Sequence, residues 1–387
     1  MVGRFDRGTH PSGRFARSAG AMLVAALVAA ALTLTVPAHA APAGPPGTVA
    51  SSGPLVREYW IPDAADAHLV TYWSTGPGGR PALSTGAVFI PPGQAPPGGW
   101  PVVSWGHGAI GLADECAPTA TGVLGGGYLT RWLTQGYAVV ATDYVGLGTP
   151  GIHPYLDGRS QAYSVVDMVR AARAIVPSLS RKWVALGQSQ GGQAAMVAAS
   201  LATSYAPELD YRGAVGLGVP SNIENLAPLG GPAFPELPLT GTTVFISYML
   251  AGLRATRPDI DVDGYLSPLG REVLDRAESL CYPEAAEAFA GISIGELLSR
   301  QLDDPVILSA LREMLEIPTR GYDRPFFIGQ GMLDEVVPAP LTLKLVADLT
   351  GNGEQFTFRH YPAGHLGTMR LSLPDATDFV REAFRAP

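Results

Sequence analysis

Residues 182–196 read Lys-Trp-Val-Ala-Leu-Gly-Gln-Ser-Gln-Gly-Gly-Gln-Ala-Ala-Met, and this stretch decides the fold. The apolar run at 184–186 predicts a buried strand, and the small apolar residues at 193–201 predict a buried helix. Between them, residues 187–191 match G-x-S-x-G, the pattern of a sharp turn from a strand into a helix. Its glycines let strand and helix approach closely. The pattern predicts that Ser189 projects from a sheet edge as a nucleophile; a turn with an incidental serine is the alternative.

Strand and helix patterns alternate on both sides of this turn. Strands that alternate with helices predict an α/β fold, in which a mostly parallel sheet carries helices on both faces. The predicted strands lie at 69–73, 82–90, 101–105, 137–142, 184–186, 213–219, 325–330 and 355–361. The predicted helices of this layered part lie at 128–135, 161–176, 193–201 and 375–384.

Residues 222–322, called the helical insertion below, interrupt this alternation. An all-helical segment between two strands predicts a cap over the site, and a separate helical domain without a catalytic role is the alternative. The insertion divides the core into a first part at 55–221 and a second part at 323–387. Proline and glycine separate its helical patterns, which lie at 243–253, 269–280, 294–302 and 305–316.

The first forty residues have the pattern of an export signal. Arginines precede an apolar run at 19–36, and Ala38-His39-Ala40 is a small-x-small cleavage pattern. We therefore predict a signal peptide at 1–40, cleaved after Ala40, and a secreted protein. A membrane anchor is the alternative, because the run is near spanning length. Residues 41–54, rich in Pro, Gly, Ala and Ser, are predicted to be a disordered linker.

The composition limits the classes of partner. The chain has 387 residues, of which 47% are hydrophobic and 16% charged, and this balance is typical of a globular protein. A net charge of −8 argues against nucleic acid and anionic membrane surfaces as partners. No Cys/His cluster has metal-ligand spacing, and no convincing nucleotide-binding loop occurs, so neither a metal nor a cofactor is expected.

The two cysteines, Cys116 and Cys281, form an even count. In an exported chain such a count indicates a disulfide, and two separate buried thiols are the alternative.

A serine hydroxyl becomes a nucleophile when a base removes its proton. In a sheet of this kind, the acid and then the histidine follow the serine along the chain. Only His360 and His365 follow Ser189. His360 lies on the predicted last strand, whereas His365 lies in a loop at 362–367, from which it can reach over the strand ends. We therefore predict His365 as the base.

The orienting acid is expected just past a strand end. Asp334 follows the strand at 325–330 in this way and is the predicted acid. Glu335 is the alternative, and Asp323 is a weak candidate because it precedes the strand.

The tetrahedral intermediate of acyl transfer carries an oxyanion, which needs fixed N–H donors. We predict the backbone N–H groups of Gln190, the residue after the serine, and Ala109, in the loop after the strand at 101–105. His107 is expected to support this loop, and Asp143 to fix a loop through backbone N–H groups.

Six stretches carry a resemblance to a known family: 105–111, 116–118, 136–148, 187–192, 331–338 and 363–365. In these stretches the chain resembles the secretory lipase family of yeasts and actinobacteria, within the α/β-hydrolases. The resemblance implies the α/β-hydrolase fold with a helical cap, Ser189, Asp334 and His365 as the catalytic triad, and hydrolysis of acylglycerols and other carboxylic esters. Related chains often have Thr where Ala109 stands, so any side-chain contribution to the oxyanion hole is lost.

The sequence therefore predicts a secreted serine ester hydrolase, either a triacylglycerol lipase or a carboxylesterase. An acyltransferase or a serine peptidase with the same triad is the alternative, followed by a non-catalytic binding protein on this scaffold. The complete triad in the expected order argues against the last of these.

The helix at 243–253 is apolar over a wide arc, so it is either buried all round or meets something apolar. We predict that Phe245, Tyr248 and Met249 on one face, and Leu250 on the neighbouring face, line an acyl pocket and that the helix touches lipid. Simple core packing is the alternative.

Overall fold

The computed structural model describes residues 43–237 and 239–386, and within them nine strands form one sheet. The predicted signal peptide at 1–40 and its cleavage after Ala40 lie outside the described residues. The strands are β1 (Val49–Pro54), β2 (Asp66–Thr75), β3 (Pro81–Ile90), β4 (Trp100–Gly106), β5 (Ala138–Val145), β6 (Leu179–Gln188), β7 (Asp210–Leu217), β8 (Phe326–Gly331) and β9 (Phe356–Tyr361).

The strand order is β1-β2-β3-β5-β4-β6-β7-β8-β9. Strands β1, β2, β3 and β5 pair antiparallel at one side of the sheet. From β5 to β9 every pairing is parallel. The sheet is therefore mostly parallel, as predicted. Strand β5 is buried along its whole length, which explains its nearly continuous apolar sequence.

Helices cover both faces of the sheet. Alternate residues of β6 point to opposite faces: Trp183 packs in the cluster that contains α3 and α4, and Val184 in the cluster that contains α2 and α11. The helices are α1 (Pro118–Thr121), α2 (Gly126–Leu133), α3 (Gly158–Ile175), α4 (Gln190–Tyr205), α5 (Thr242–Thr256), α6 (Pro268–Ala277), α7 (Tyr282–Ala288), α8 (Ile294–Leu297), α9 (Pro305–Leu315), α10 (Ala339–Gly351) and α11 (His365–Arg385).

Helices α5 to α9 lie between β7 and β8 and make up the helical insertion. They share a hydrophobic cluster that includes Leu250, Leu274 and Leu311. Tyr155 and Leu156, which precede α3, belong to the same cluster, so the insertion packs directly on the core. None of the helices in the described part of the chain is long and apolar enough to cross a bilayer.

The prediction of a disordered linker at 41–54 is wrong for its last six residues. Residues Val49–Pro54 form β1 and pair with β2, from Val49 opposite Tyr72 to Pro54 opposite His68. Strand pairing uses backbone groups, so a segment rich in small residues can add an edge strand to a sheet. Proline is tolerated because β1 has only one neighbour.

Two predicted helices differ from the structure by five residues or more at one end. The helix predicted at 294–302 ends at Leu297, and Leu298 instead forms an isolated bridge with Leu266. The helix predicted at 375–384 begins ten residues earlier, at His365, and contains Pro374. Proline usually breaks a helix, which is why the sequence pattern indicated a later start.

Candidate active site

Ser189 lies at the junction of β6 and α4, where the chain turns sharply. Its backbone has φ 57° and ψ −122°, a strained combination for a residue with a side chain. Its N–H donates to the carbonyl oxygen of Leu217 at 2.8 Å, and its own carbonyl accepts the N–H of Gln193 at 3.1 Å. These bonds hold the strained turn between β7 and the first turn of α4.

Glycines make this turn possible. A Cβ atom at Gly187 would overlap the carbonyl oxygen of Gly191, and a Cβ atom at Gly191 would overlap that of Gly106. The turn therefore packs backbone against backbone, both on itself and on the end of β4. The sequence indicated that Gly187 and Gly191 allow this close approach. The structure shows that Gly106 is a third glycine in the same contact.

Asp334 and His365 form a buried, hydrogen-bonded pair. Nδ1 of His365 lies 2.8 Å from Oδ2 of Asp334, and the two residues are 6% and 8% exposed. The other carboxylate oxygen, Oδ1, accepts the N–H groups of Val336 at 2.9 Å and Val337 at 2.8 Å. A carboxylate can only accept, so Nδ1 carries the proton and Nε2 is left as a proton acceptor.

The backbone of His365 is also fixed. His365 is the first residue of α11, not a loop residue as predicted, and its N–H donates to Oε2 of Glu335 at 3.1 Å. A carboxylate at a helix N-terminus is stabilised by the exposed N–H groups there. Glu335, the alternative acid of the sequence analysis, therefore binds the histidine backbone, while Asp334 binds the ring.

The serine and the histidine approach two adjacent residues at the end of β7. Ser189 bonds to Leu217, and a Cβ atom at Gly218 would lie 3.1 Å from Cε1 of His365. Among the described residues, no hydrogen bond joins the Ser189 hydroxyl to His365. In serine hydrolases without substrate this contact is often long and tightens only when substrate binds.

The loop after β4 lies against the serine turn. A Cβ atom at Gly108 would lie 3.5 Å from Cβ of Ser189, and Ala109 follows it. Gln190, 1% exposed, begins α4 directly after the serine. The two predicted oxyanion donors therefore belong to segments in contact with each other.

Two buried polar residues support this loop region. Oδ2 of Asp143 accepts the hydroxyls of Thr85 and Thr119, and Oδ1 accepts the Thr119 N–H at 3.2 Å. Asp143 thus binds one backbone N–H and two hydroxyls, whereas the sequence predicted backbone N–H groups alone. Burial raises the pKa of Asp143 to about 6, and the bonds to Thr119 and Thr85 oppose this rise. Burial lowers the pKa of His107 to about 4, so that ring is neutral near pH 7.

Cys116 and Cys281 form the predicted disulfide, with Cα atoms 5.4 Å apart. Beside the disulfide, Gly111 and Cys281 form an isolated β-bridge. The Tyr282 N–H also donates to the Ile110 carbonyl at 2.8 Å. The loop that carries Ala109 is therefore tied to the helical insertion both covalently and by hydrogen bonds.

An apolar cavity of about 170 Å³ opens at Ser189. From α5, Phe245, Ile246 and Met249 line it. Other lining residues come from the insertion, the Ser189 region and the segment before α10, among them Phe234, Leu302, Val337 and Leu341.

The predicted pocket face of α5 is only partly correct. Phe245 and Met249 line the cavity, whereas Tyr248 and Leu250 are fully buried in the cluster of the helical insertion. The Tyr248 hydroxyl donates to the Leu280 carbonyl at 3.2 Å, and its ring packs against Tyr155. Because α5 is apolar on several faces, its sequence pattern could not show which face meets the cavity.

The family model for the secretory lipases matches residues 123–386 of this chain. The chain belongs to the secretory lipase family. Lipase A of Moesziomyces aphidis is 26% identical over 366 residues, which cover 87% of this chain and 76% of that protein. A probable inactive lipase of Mycobacterium tuberculosis is 25% identical over 373 residues, which cover 88% of this chain and 78% of that protein. Further relatives from Malassezia species are named secreted triacylglycerol lipases.

A crystal structure of Candida antarctica lipase A resembles this secretory lipase with a TM-score of 0.74 at 24% identity. The match covers 89% of this chain and 84% of the other. Identity at this level shows the fold alone, and it confirms the predicted α/β-hydrolase fold. Membership of the secretory lipase family confirms the predicted class, a secreted hydrolase of carboxylic esters.

Sequence reasoning missed two buried residues near the serine of this secretory lipase. Tyr144 donates its hydroxyl to the His107 carbonyl at 3.0 Å, and His153 contacts the Gln190 side chain at 2.7 Å. Tyr144 has φ 71°, but no sequence pattern marks a strained tyrosine at the end of a strand. His153 precedes the serine in the chain, so the expected order of serine, acid and histidine does not point to it.

Proposed function

We propose that this lipase hydrolyses carboxylic esters, triacylglycerols among them, through an acyl-enzyme on Ser189. The observation that supports the proposal most strongly is a strained serine at an apolar cavity, beside a buried carboxylate–imidazole pair. A strained backbone conformation persists only where the surrounding structure fixes it, and such residues cluster at active sites.

In the first half-reaction, Nε2 of His365 takes the proton of the Ser189 hydroxyl while the serine oxygen attacks the ester carbonyl. Asp334 holds the ring with Nδ1 protonated and stabilises the imidazolium that forms. The backbone N–H groups of Ala109 and Gln190 donate to the oxyanion of the tetrahedral intermediate. The intermediate collapses, His365 gives its proton to the departing alcohol, and the acyl group stays on the serine.

In the second half-reaction, water replaces the alcohol. His365 takes a proton from the water as it attacks the acyl-enzyme, and the same N–H groups hold the second oxyanion. Collapse of this intermediate returns the proton to Ser189 and releases the carboxylic acid. Transfer to an added alcohol instead of water would be the acyltransferase reaction.

The helical insertion, residues 222–322, is proposed as a cap that supplies the acyl site. The cavity wall is formed largely by aliphatic and aromatic side chains, including Phe245 and Met249. Each CH₂ group moved from water into such a site contributes about 0.8 kcal/mol, so the cavity favours a hydrocarbon acyl chain.

Lipid contact is proposed beside the triad. Leu333 and Leu366, the neighbours of Asp334 and His365 in the chain, are 70% and 74% exposed. Their segments are joined, because the Leu333 N–H donates to the Ala363 carbonyl at 3.0 Å. In the inactive Ser189→Ala enzyme, Leu333→Ser and Leu366→Ser should lower the fraction of protein that floats with a triglyceride emulsion on centrifugation; an equal floating fraction overturns this contact.

The decisive experiment replaces the nucleophile. Ser189→Ala should lower turnover of p-nitrophenyl esters and triglycerides by about 10⁴-fold or more without changing the unfolding midpoint. The matched control is Ser200→Ala on the same helix, a serine whose hydroxyl donates to the Val197 carbonyl. A serine-directed phosphonate should label Ser189 alone. Near-normal turnover by the Ser189→Ala enzyme would falsify the proposal, and cleavage of peptide amides or transfer to added alcohol in place of hydrolysis would reassign the reaction.

A further inference from the structure

Three buried rings form a continuous stack next to the serine turn: His107, Tyr144 and His153. The ring centroids of His107 and Tyr144 lie 4.5 Å apart with planes tilted by 42°, and those of Tyr144 and His153 lie 5.7 Å apart with planes 14° from parallel. The three residues are 7%, 0% and 0% exposed. The catalytic steps proposed above use none of these side chains.

One end of the stack fixes the peptide that carries Ala109. Both ring nitrogens of His107 face carbonyl oxygens: Nδ1 lies 2.7 Å from Gly108 O, and Nε2 lies 3.3 Å from Asp143 O. Burial keeps this ring neutral, with one proton, and the shorter contact indicates that Nδ1 carries it. In a trans peptide the carbonyl and the following N–H point in opposite directions. Because His107 holds the Gly108 carbonyl, the N–H of the same peptide, that of Ala109, is directed away from the His107 ring.

The middle ring holds the same loop at a second point. The Tyr144 hydroxyl donates to the carbonyl oxygen of His107 at 3.0 Å. Two successive carbonyls of the loop, at His107 and Gly108, are thus bonded to side chains of the stack.

The other end of the stack fixes Gln190. Nδ1 of His153 lies 2.8 Å from the Val145 carbonyl, so this nitrogen must donate. Burial lowers the pKa of His153 to about 3, and the neutral ring leaves Nε2 as an acceptor. The amide Nε2 of Gln190 lies 2.7 Å from it and donates. The residue whose backbone N–H faces the oxyanion is therefore anchored through its side chain.

We infer that Tyr144 and His153 are positioning residues, which hold the two oxyanion donors in register through one stack of rings. The inference rests on the proposed function, because it takes Ala109 and Gln190 as the donors. Tyr144 touches both histidines, so the orientation of one donor is coupled to that of the other through packed, buried rings. Neither side chain contacts the substrate in this role.

The expected effect is selective for the transition state, because the oxyanion forms only there. Loss of a whole oxyanion donor costs about 10²–10³ in kcat, so a misaligned donor should cost about 10-fold to 100-fold. KM for a small ester should change little. The affinity for a trifluoromethyl ketone, whose adduct carries the oxyanion, should fall in proportion to kcat.

The test compares four variants of the full chain on p-nitrophenyl acetate. Tyr144→Phe removes the hydroxyl but keeps the ring, and His153→Leu removes both hydrogen bonds of the imidazole. His153→Gln keeps a side-chain oxygen that can accept from Gln190 and should restore at least a part of kcat. Tyr322→Phe is the matched control, because its half-buried hydroxyl donates to the Pro318 carbonyl away from the serine.

The expected result is a lower kcat and weaker ketone binding for Tyr144→Phe and His153→Leu, a smaller loss for His153→Gln, and unchanged kinetics for Tyr322→Phe. Unchanged kcat in folded Tyr144→Phe and His153→Leu enzymes overturns the inference, as do losses that follow the unfolding midpoint or appear in KM alone. If the Tyr144 and His153 variants have normal kcat while Ser189→Ala is inactive, the inference about the ring stack is wrong and Ser189 remains the proposed nucleophile. If Ser189→Ala is active, the proposed function itself fails.

Discussion

In both the sheet core and the helical insertion, a glycine lets a helix pack directly against a backbone carbonyl, but the two contacts have different roles. In the core, Gly191 lets α4 lie directly on the Gly106 carbonyl at the end of β4. In the insertion, Gly270 lets α6 lie directly on the Leu297 carbonyl at the end of α8. The first contact positions a strained serine, whereas the second closes a hydrophobic cluster that borders the cavity.

The difference separates chemistry from selectivity. The core holds its key side chains by hydrogen bonds to backbone and carboxylate, with distances of 2.8–2.9 Å around Asp334. In the insertion, packed side chains of α5 and its neighbours form the wall of the cavity. We therefore expect core variants to lower turnover of all esters alike, and insertion variants to change which esters are preferred.

The largest effect is expected from Asp334→Asn. The amide can still accept the N–H groups of Val336 and Val337 through its oxygen, which turns its NH₂ group towards His365. The ring must then present a lone pair at Nδ1 and carry its proton at Nε2, so it cannot accept from Ser189. In serine enzymes this tautomer costs about 10⁴-fold in kcat. Turnover of acetate and long-chain p-nitrophenyl esters should fall by the same factor.

Asp323→Asn is the matched control, because Asp323 precedes β8 and its carboxylate accepts an exposed Thr203 hydroxyl at 3.1 Å. It should leave turnover unchanged. A loss of less than about tenfold for Asp334→Asn, or a changed ratio of long to short esters, would break the division between core and insertion.

The next effect comes from adding one methyl group at each glycine contact. Gly191→Ala must push apart two backbones at the serine turn, at a cost above the roughly 1–3 kcal/mol typical of overpacking. It should lower turnover of all esters alike, by less than Asp334→Asn does. Gly270→Ala meets the same obstacle inside the insertion, so it should lower long-ester turnover more than acetate turnover. The measurement is kcat for both esters, with circular dichroism to establish folding.

Gly127→Ala serves as the control, because a Cβ atom there has no neighbour within 4 Å. Equal losses of acetate turnover in folded Gly191→Ala and Gly270→Ala enzymes would show that the two regions do not act separately.

The disulfide joins the two regions, and its removal should have an intermediate effect. Cys116→Ser combined with Cys281→Ser opens a loop of 165 residues, which should cost about 2–5 kcal/mol of unfolding free energy. The bond from Tyr282 N–H to Ile110 O remains, so acetate turnover at 25 °C should persist. Urea unfolding followed by fluorescence measures the change; an unaltered midpoint contradicts it.

The sequence predicted the core in more detail than the insertion for a physical reason. Parallel strands are buried on both faces, so strands such as β5 and β6 appear as short apolar runs between turns. The serine turn needs glycine at fixed positions, which a pattern can show. The hydrogen bond between Asp334 and His365 agrees with the predicted pairing, although their catalytic roles stay predictions.

What the sequence did not predict depends on contacts between distant residues. Strand β1 exists because its backbone pairs with β2, and no apolar pattern is needed for that. Helix α11 continues through Pro374 although proline removes a hydrogen-bond donor. The stack formed by Tyr144 and its two histidines brings together residues up to 46 positions apart, from 107 to 153, that share no motif.

The smallest effect is expected at the cavity wall. Met249→Trp should fill part of the 170 Å³ cavity, because Met249 faces it from α5. Each CH₂ group of substrate that no longer fits loses about 0.8 kcal/mol, or about fourfold in relative turnover. The ratio of decanoate to acetate turnover on p-nitrophenyl esters should therefore fall by about 10-fold to 100-fold, with acetate turnover much less affected.

Leu250→Trp separates a cavity effect from a packing effect on the same helix. Leu250 is the next residue but is fully buried in the cluster of the insertion, away from the cavity. The added ring has no space there, so it should lower the unfolding midpoint through overpacking without a specific change in chain-length preference. If Leu250→Trp shifts the ratio as strongly as Met249→Trp does, the preference follows the general stability of the insertion. If neither shifts it in folded enzyme, α5 serves structure alone and the acyl chain binds elsewhere.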